Sequence, residues 1–178
     1  DCLDGDPEAV SLLRLNRVAA YLEKSRLSAI SDNSQERKMS PEDAKNAVAE
    51  ANQFVKDDPS ASRRHWRWII AAYRRAGALH EALRFVNELE YDADLNGRIK
   101  IELNAARGDL FVAMSSPFVA AIYYSRWVKQ VNGYELCGRS ESIENMKILT
   151  KQRYVIEGYD QLPKPEVICL DMGWSPFV

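Results

Sequence analysis

Pro7 and Pro41 each stand directly behind a side chain that caps a helix, in Asp6-Pro7-Glu8 and Ser40-Pro41-Glu42-Asp43. An Asp or Ser oxygen accepts from the first free N–H groups of a helix, and proline, lacking an N–H, is tolerated in its first turn. Behind each start, apolar residues recur every three or four positions: Val10, Leu13, Val18, Tyr21 and Leu22, then Ala44, Ala47, Val48, Ala51, Phe54 and Val55. This is the period of a helix with one buried face. The first helix is expected to end near Leu27, with 28–39 as a polar loop, and the second to stop at Asp57-Asp58-Pro59.

The same reasoning carries along the chain. A third helix is expected over 62–76, closed by Gly77, and a fourth from Leu79 to Glu90, with a turn over 91–96. A fifth runs from about Leu95 to Arg107 and ends at Gly108, a natural residue for the left-handed position behind a helix. A long apolar helix then covers 109–131, with a kink at Pro117 and a break at Asn132-Gly133. A seventh spans Ser140 to about Gly158. The tail LPKPEVICLDMGWSPFV has two early prolines that remove helix, so 159–178 reads as a non-helical arm, with VICL as a short strand or an extended segment. The expectation is one all-α domain, 1–178, of antiparallel helices joined by short loops, with no alternating strands to build a sheet.

At 178 residues the chain is long enough for a substantial core. No run reaches the roughly 18 apolar residues of a membrane span. The longest candidate, FVAMSSPFVAAIYY (111–124), is interrupted by Ser115, Ser116 and Pro117 and reads as buried core. Net charge is −2, which argues against a general nucleic-acid or membrane-surface binder. The three cysteines, Cys2, Cys137 and Cys169, match no CxxC pattern. A bridge from Cys2 to either of the others and three reduced thiols are both compatible with this spacing. The first residue is Asp1 rather than Met, so a removed leader and a trimmed chain both fit. Exported and cytoplasmic locations stand equally.

The charge is unevenly placed. SRRHWRWIIAAYRRAG (62–77) holds five arginines and two tryptophans in sixteen residues. On a helical wheel Arg63, Arg64, Arg67, Arg74 and Arg75 fall within an arc of roughly 120°, with Trp68 at its border. Trp66, Ile69, Ile70, Tyr73 and Ala76 fall opposite. The segment therefore packs on one side and presents guanidinium groups on the other. Such a face is either ordinary solvated surface, neutralised by Asp57, Asp58, Glu81, Glu88 and Glu90, or a site for a carboxylate-rich partner. Arginine beside aromatic residues also suits phosphates and stacked bases, but the acidic neighbours and net charge argue against nucleic acid.

The apolar spacing Trp66-x2-Ile69-Ile70-x2-Tyr73-x3-Gly77-x4-Ala82-x3-Val86 resembles a tetratricopeptide repeat. Ile70 stands where that family has a small residue, Val86 where it has Phe, and Asp94 near its closing proline. Ala47, Ala51, Phe54 and Pro59 are similar to the second helix of a preceding repeat. Ile101, Gly108 and Ala113 echo Ile70, Gly77 and Ala82. The resemblance implies stacked helical hairpins in a TPR-like or other α-solenoid-like array, whose grooved surface holds another protein. An irregular all-α bundle is the other architecture open to the sequence. The implied partner-binding set is Arg63, Arg64, Arg67, Trp68, Arg74 and Arg75. An adaptor, a chaperone and an inhibitor or immunity protein all fit.

No catalytic residue, cofactor or metal is expected. The sequence has no HExxH, GxSxG, Walker A or GxGxxG motif. His65 and His80 are read as helix-flank residues, and Asp4-Gly5-Asp6 as a capping turn rather than a calcium loop, since position twelve is Leu15. Acid pairs such as Glu88/Glu90 and Cys137 lack the partners that acid–base or nucleophilic chemistry needs. An all-α enzyme with unrecognised acidic residues and an RNA-binding array remain the alternatives. The apolar tail is expected to pack back on the helices or against a partner.

Overall fold

A computed structural model describes residues 7–31, 39–92, 96–131 and 139–162, with α1 side chains from Ala9 to Ser25. Among these residues the chain is all-α, with eight helices and no strand. They are α1 (Pro7–Ser31), α2 (Pro41–Asp57), α3 (Pro59–Arg64), α4 (Trp66–Arg75), α5 (Leu79–Glu90), α6 (Gly97–Ala113), α7 (Pro117–Val128) and α8 (Ser140–Lys151). A 3-10 turn follows at Tyr159–Gln161. The chain divides into two compact units, Asp1–Leu89 and Glu90–Val178.

In the first unit the caps act as their sequence implies. The Ser40 hydroxyl oxygen accepts from the Asp43 N–H at 3.2 Å and also bonds the Asp43 carboxylate at 2.8 Å. Asp58 closes α2 and caps α3, accepting from the Ala61 N–H at 2.8 Å. Ion pairs fix the helix directions. Arg14 reaches Glu50 and Asp57, while Lys24, further along α1, reaches Asp43 at the start of α2. The two helices are therefore antiparallel. Ser11 bonds Asp58 at the start of α3, and Arg75 at the end of α4 bonds the Leu22 carbonyl, so the α3–α4 segment runs parallel to α1. It packs against both α1 and α2. Phe54 of α2, Trp66, Ile69 and Tyr73 of α4, and Phe85 and Val86 of α5 are buried in this unit.

The second unit repeats this up-down-up order. α6 and α7 form a close antiparallel hairpin, and α8 returns parallel to α6, because Arg139 bonds Glu102 while Ser142 and Asn145 bond Asp109. Its core holds Ala105, Ala120, Ala121, Tyr124, Trp127, Ile143, Met146 and Leu149. This antiparallel pairing, followed by a third parallel helix, is consistent with a helical-repeat arrangement.

Several boundaries differ from those the sequence suggested. α1 continues past Leu27 to Ser31, so 28–31 are helical rather than loop. The expected 62–76 helix is two helices meeting at His65. Ser62 turns its hydroxyl onto the Pro59 carbonyl at 2.8 Å, a back-bond that bends helices. Gly108 does not end a helix; it lies buried in the middle of α6. That helix ends where Ser115 takes a left-handed conformation (φ 56°), with the Ser116 N–H on the Phe111 carbonyl and the Ser115 N–H on the Val112 carbonyl. The continuous 109–131 helix is therefore split, and α7 starts afresh at Pro117. α8 ends at Lys151, not Gly158, because Arg153 (φ 69°) plays the same part, with the Tyr154 N–H on the Leu149 carbonyl. α2 ends at Asp57 and α5 at Glu90 as expected, and Gly77 (φ 75°) closes α4, the Ala78 N–H bonding the Tyr73 carbonyl at 2.8 Å.

The Asp4-Gly5-Asp6 turn, 32–38, part of the 91–96 turn, Asn132-Gly133, all three cysteines and the VICL strand lie outside the described residues.

Candidate functional site

The arginine-rich stretch is built on the α3–α4 bend. Trp66 opens α4 and turns inward, 5% exposed. That orientation sends its neighbours outward. Arg63, Arg64 and Arg67 are exposed, and Trp68 is 48% exposed beside them. The Arg67 guanidinium lies 5.5 Å from the centre of the Trp66 ring, a cation–π contact that holds it against the helix.

The remaining two arginines are placed differently. Arg74 and Arg75 are half-buried. Arg75 Nη1 donates to the Leu22 carbonyl at 2.6 Å and faces the Ser25 hydroxyl at 3.4 Å, so this side chain ties α4 to α1. The wheel grouped all five because it assumed one unbroken helix. The bend and the neighbouring α1 separate an exposed set, Arg63, Arg64, Arg67 and Trp68, from Arg75.

The acids near this stretch have their own pairings. Asp57 pairs with Arg14 at 3.0 Å, Glu88 with Arg84 at 3.9 Å, and Glu90 with Arg107 at 2.6 Å. The Asp58 carboxyl is held below the usual carboxylate range, chiefly by the Ala61 N–H, with help from Ser60, Ser11 and Arg64 against its burial.

α4 turns Tyr73 away from solvent, into the angle between α2 and α5. Its hydroxyl donates to Asn52 Oδ1 at 2.9 Å, and its ring meets Phe85 edge-on at 6.5 Å. Burial pushes this phenol up to about 12. It stays protonated at neutral pH and serves as a hydrogen-bond donor. The groove above it, about 240 Å³, is lined by Val55, Lys56, Glu81, Arg84 and Glu88. Two cations, Lys56 and Arg84, and two acids, Glu81 and Glu88, line it together. Sequence reading placed Tyr73 in the core but offered no sign of the groove, which arises from three helices meeting.

In the second unit Asp109 is 4% exposed. It accepts from the Tyr124 hydroxyl at 2.7 Å, the Ser142 hydroxyl at 2.8 Å and Asn145 Nδ2 at 3.1 Å. Seven residues earlier on the same face, buried Glu102 bonds Arg139 at 2.9 Å. These carboxylates fix the register of α8 against α6. The heptad spacing of Glu102 and Asp109 was a readable signal, hidden because Gly108 was taken as a helix end.

Among the described residues no three His, Cys, Asp or Glu side chains gather as a metal ion would need. No described helix is long and apolar enough to cross a membrane. Compared with protein-family models, curated proteins and solved structures, the chain gives no significant match to any.

Proposed function

We propose that this chain is a helical-repeat module of TPR-like type that binds another protein through the exposed face of α3 and α4. The observation that carries this reading is Trp68, 48% exposed among the exposed Arg63, Arg64 and Arg67. Tryptophan and arginine dominate binding energy at protein interfaces. The indole supplies a large rigid contact, and the guanidinium forks bond carboxylates two oxygens at a time. The partner segment is therefore acidic, with an apolar side chain to cover Trp68. Arg74 borders this face, and Arg75 supports it from behind through α1.

The repeat reading draws support from the first unit. α4 runs parallel to α1 and packs against both helices of the preceding hairpin, which is how successive hairpins stack in a solenoid. An adaptor, a chaperone or an inhibitor of immunity type uses such a face. Capture from nuclease-treated source lysate tests the reading, with wild type, Arg64→Glu/Arg67→Glu and Trp68→Ala as parallel baits. A stoichiometric protein held by wild type and lost by both variants supports it. A partner retained by both variants, or none with any bait, overturns it. Capture only when nuclease is omitted assigns the face to nucleic acid.

A further inference from the structure

The groove of the first unit has two walls. α2 contributes Asn52, Val55 and Lys56, α5 contributes Glu81, Arg84, Phe85 and Glu88, and Tyr73 of α4 lies between them. Within each wall the residues stand three or four positions apart, so each set shares one helix face. The enclosed space, about 240 Å³, is below the roughly 300–1,000 Å³ of pockets for drug-sized ligands. It suits an occupant about as large as one amino acid.

The charges in the groove are not all spent on each other. Arg84 and Glu88 pair along α5 at 3.9 Å. Lys56 and Glu81 carry opposite charges and line the same space, yet among the described residues neither has an ion-pair partner. The Tyr73 hydroxyl donates to Asn52 Oδ1 at 2.9 Å. That bond leaves the other end of the amide, Nδ2 with its two N–H donors, for the groove. Asn52 and Lys56 are one helical turn apart, so the α2 wall offers an amide and an ammonium side by side. The α5 wall offers the Glu81 carboxylate. Val55 and Phe85 supply apolar surface, with the Phe85 ring set edge-on against Tyr73 at 6.5 Å.

We propose that this groove binds a small free zwitterion with an apolar body, of the class of the aliphatic and aromatic α-amino acids. Its carboxylate accepts from Lys56 Nζ and Asn52 Nδ2, its ammonium donates to Glu81, and its side chain lies on Val55 and Phe85. A residue inside a peptide carries neither backbone charge, and a chain end carries only one. The two unpaired side chains of opposite sign therefore select the free molecule. The site does not depend on the interaction role argued for α3 and α4.

The test titrates the ¹⁵N-labelled full chain with L-leucine and L-phenylalanine, each beside its N-acetyl and its carboxamide derivative, and follows amide chemical shifts by NMR. The expected result is a saturable shift of the Asn52 side-chain amide and of backbone amides in 52–56 and 81–88, with a Kd of about 1 mM or tighter for at least one of the two. Acetylation and amidation each weaken binding about fivefold. Glu81→Gln weakens the free amino acid by a similar factor but leaves the N-acetyl derivative unaffected. Lys56→Met does the same with respect to the carboxamide. Such matched losses assign each charge of the ligand to its own side chain. The absence of a saturable shift, or shifts that map away from the groove, overturns the proposal. So do derivatives that bind as well as the parent amino acid, or losses in the variants that do not match in this way.

Discussion

Tyr124 lies across Gly108 so closely that a Cβ there would stand 2.4 Å from a ring carbon. The ring has nowhere to go. It is fully buried, and its hydroxyl is held by Asp109 at 2.7 Å. This contact brings the α7 ring directly against the α6 backbone.

Gly108→Ala is expected to destabilise the protein by about 1–3 kcal/mol, although alanine is the better helix former by ~1 kcal/mol. The overpacked ring outweighs the backbone gain. Gly97→Ala, where a Cβ meets nothing within 4 Å, is the control and leaves the urea midpoint unchanged or slightly raised. Equal effects at both positions would refute the close packing.

Asp109→Ala removes the acceptor of three side chains from three positions of the bundle. The buried Tyr124 and Ser142 hydroxyls then lose a partner, at a cost of ~3 kcal/mol in all. Asp109→Asn is the milder change, since it keeps one carbonyl oxygen. Chemical denaturation of the two variants side by side orders them, and a neutral Asp109→Ala would remove Asp109 as the junction of α6, α7 and α8.

Trp66 and Trp68 are two residues apart and are expected to behave oppositely. Trp66→Ala destabilises by about 3–5 kcal/mol because a buried indole leaves a cavity. Trp68→Ala changes the circular-dichroism melt little, since half of the indole is already in water, but weakens partner binding. The reverse order would mean that α4 is rotated.

Ser115 and Arg153 hold left-handed backbone that costs a side-chain-bearing residue about 1 kcal/mol or more. Both are exposed. Ser115→Gly and Arg153→Gly should each stabilise by ~0.5–1 kcal/mol, because glycine adopts this conformation without the Cβ clash. A loss of stability in thermal melts would show that these side chains have roles beyond closing their helices.

The pH dependence has two limbs with opposite signs. The Tyr73 phenol is raised in the folded state to about 12. Its contribution is therefore full below the ordinary tyrosine value of about 10 and is lost as pH rises to about 12. Tyr73→Phe removes that part of the alkaline fall in the urea midpoint. Asp58 is depressed in the folded state. Its contribution is full above the ordinary aspartate range and is lost as pH falls through the depressed value. Asp58→Ala flattens that acid limb and, with the cap gone, costs about 0.5–2 kcal/mol at neutral pH. Unchanged limbs in these variants would assign the pH dependence to other groups.

Helix starts were legible because capping is local. Ser40 bonds an N–H three residues ahead, and Pro41 sits in the first turn of α2; Pro59 and Pro117, read as a stop and a kink, also begin helices. Helix ends were legible at Asp57-Asp58-Pro59, at Gly77 and at Glu90. At Ser115 and Arg153 the left-handed position is filled by residues that carry no such signature, and Gly108, which does, serves an interhelical contact. The arginine face was legible as a charge pattern. Its division was not, because the Ser62 back-bond bends the segment and α1 supplies the carbonyl that claims Arg75.

The sequence by itself determined that the described residues are all-α, where most of their helices begin, and that Trp66, Ile69, Ile70 and Tyr73 face inward. Those properties follow from hydrogen bonds and periodicities spanning three or four residues. Only the tertiary structure decided that Asp109 is buried at a three-helix junction, that Tyr73 underlies a groove, and that Trp68, Arg63, Arg64 and Arg67 are exposed while Arg75 is half-buried. Each of those depends on partners far away in the chain: 33 residues from Asp109 to Ser142, 21 from Asn52 to Tyr73, 53 from Leu22 to Arg75. Contacts at such separations are set by how whole helices pack, and no local pattern of residues records them.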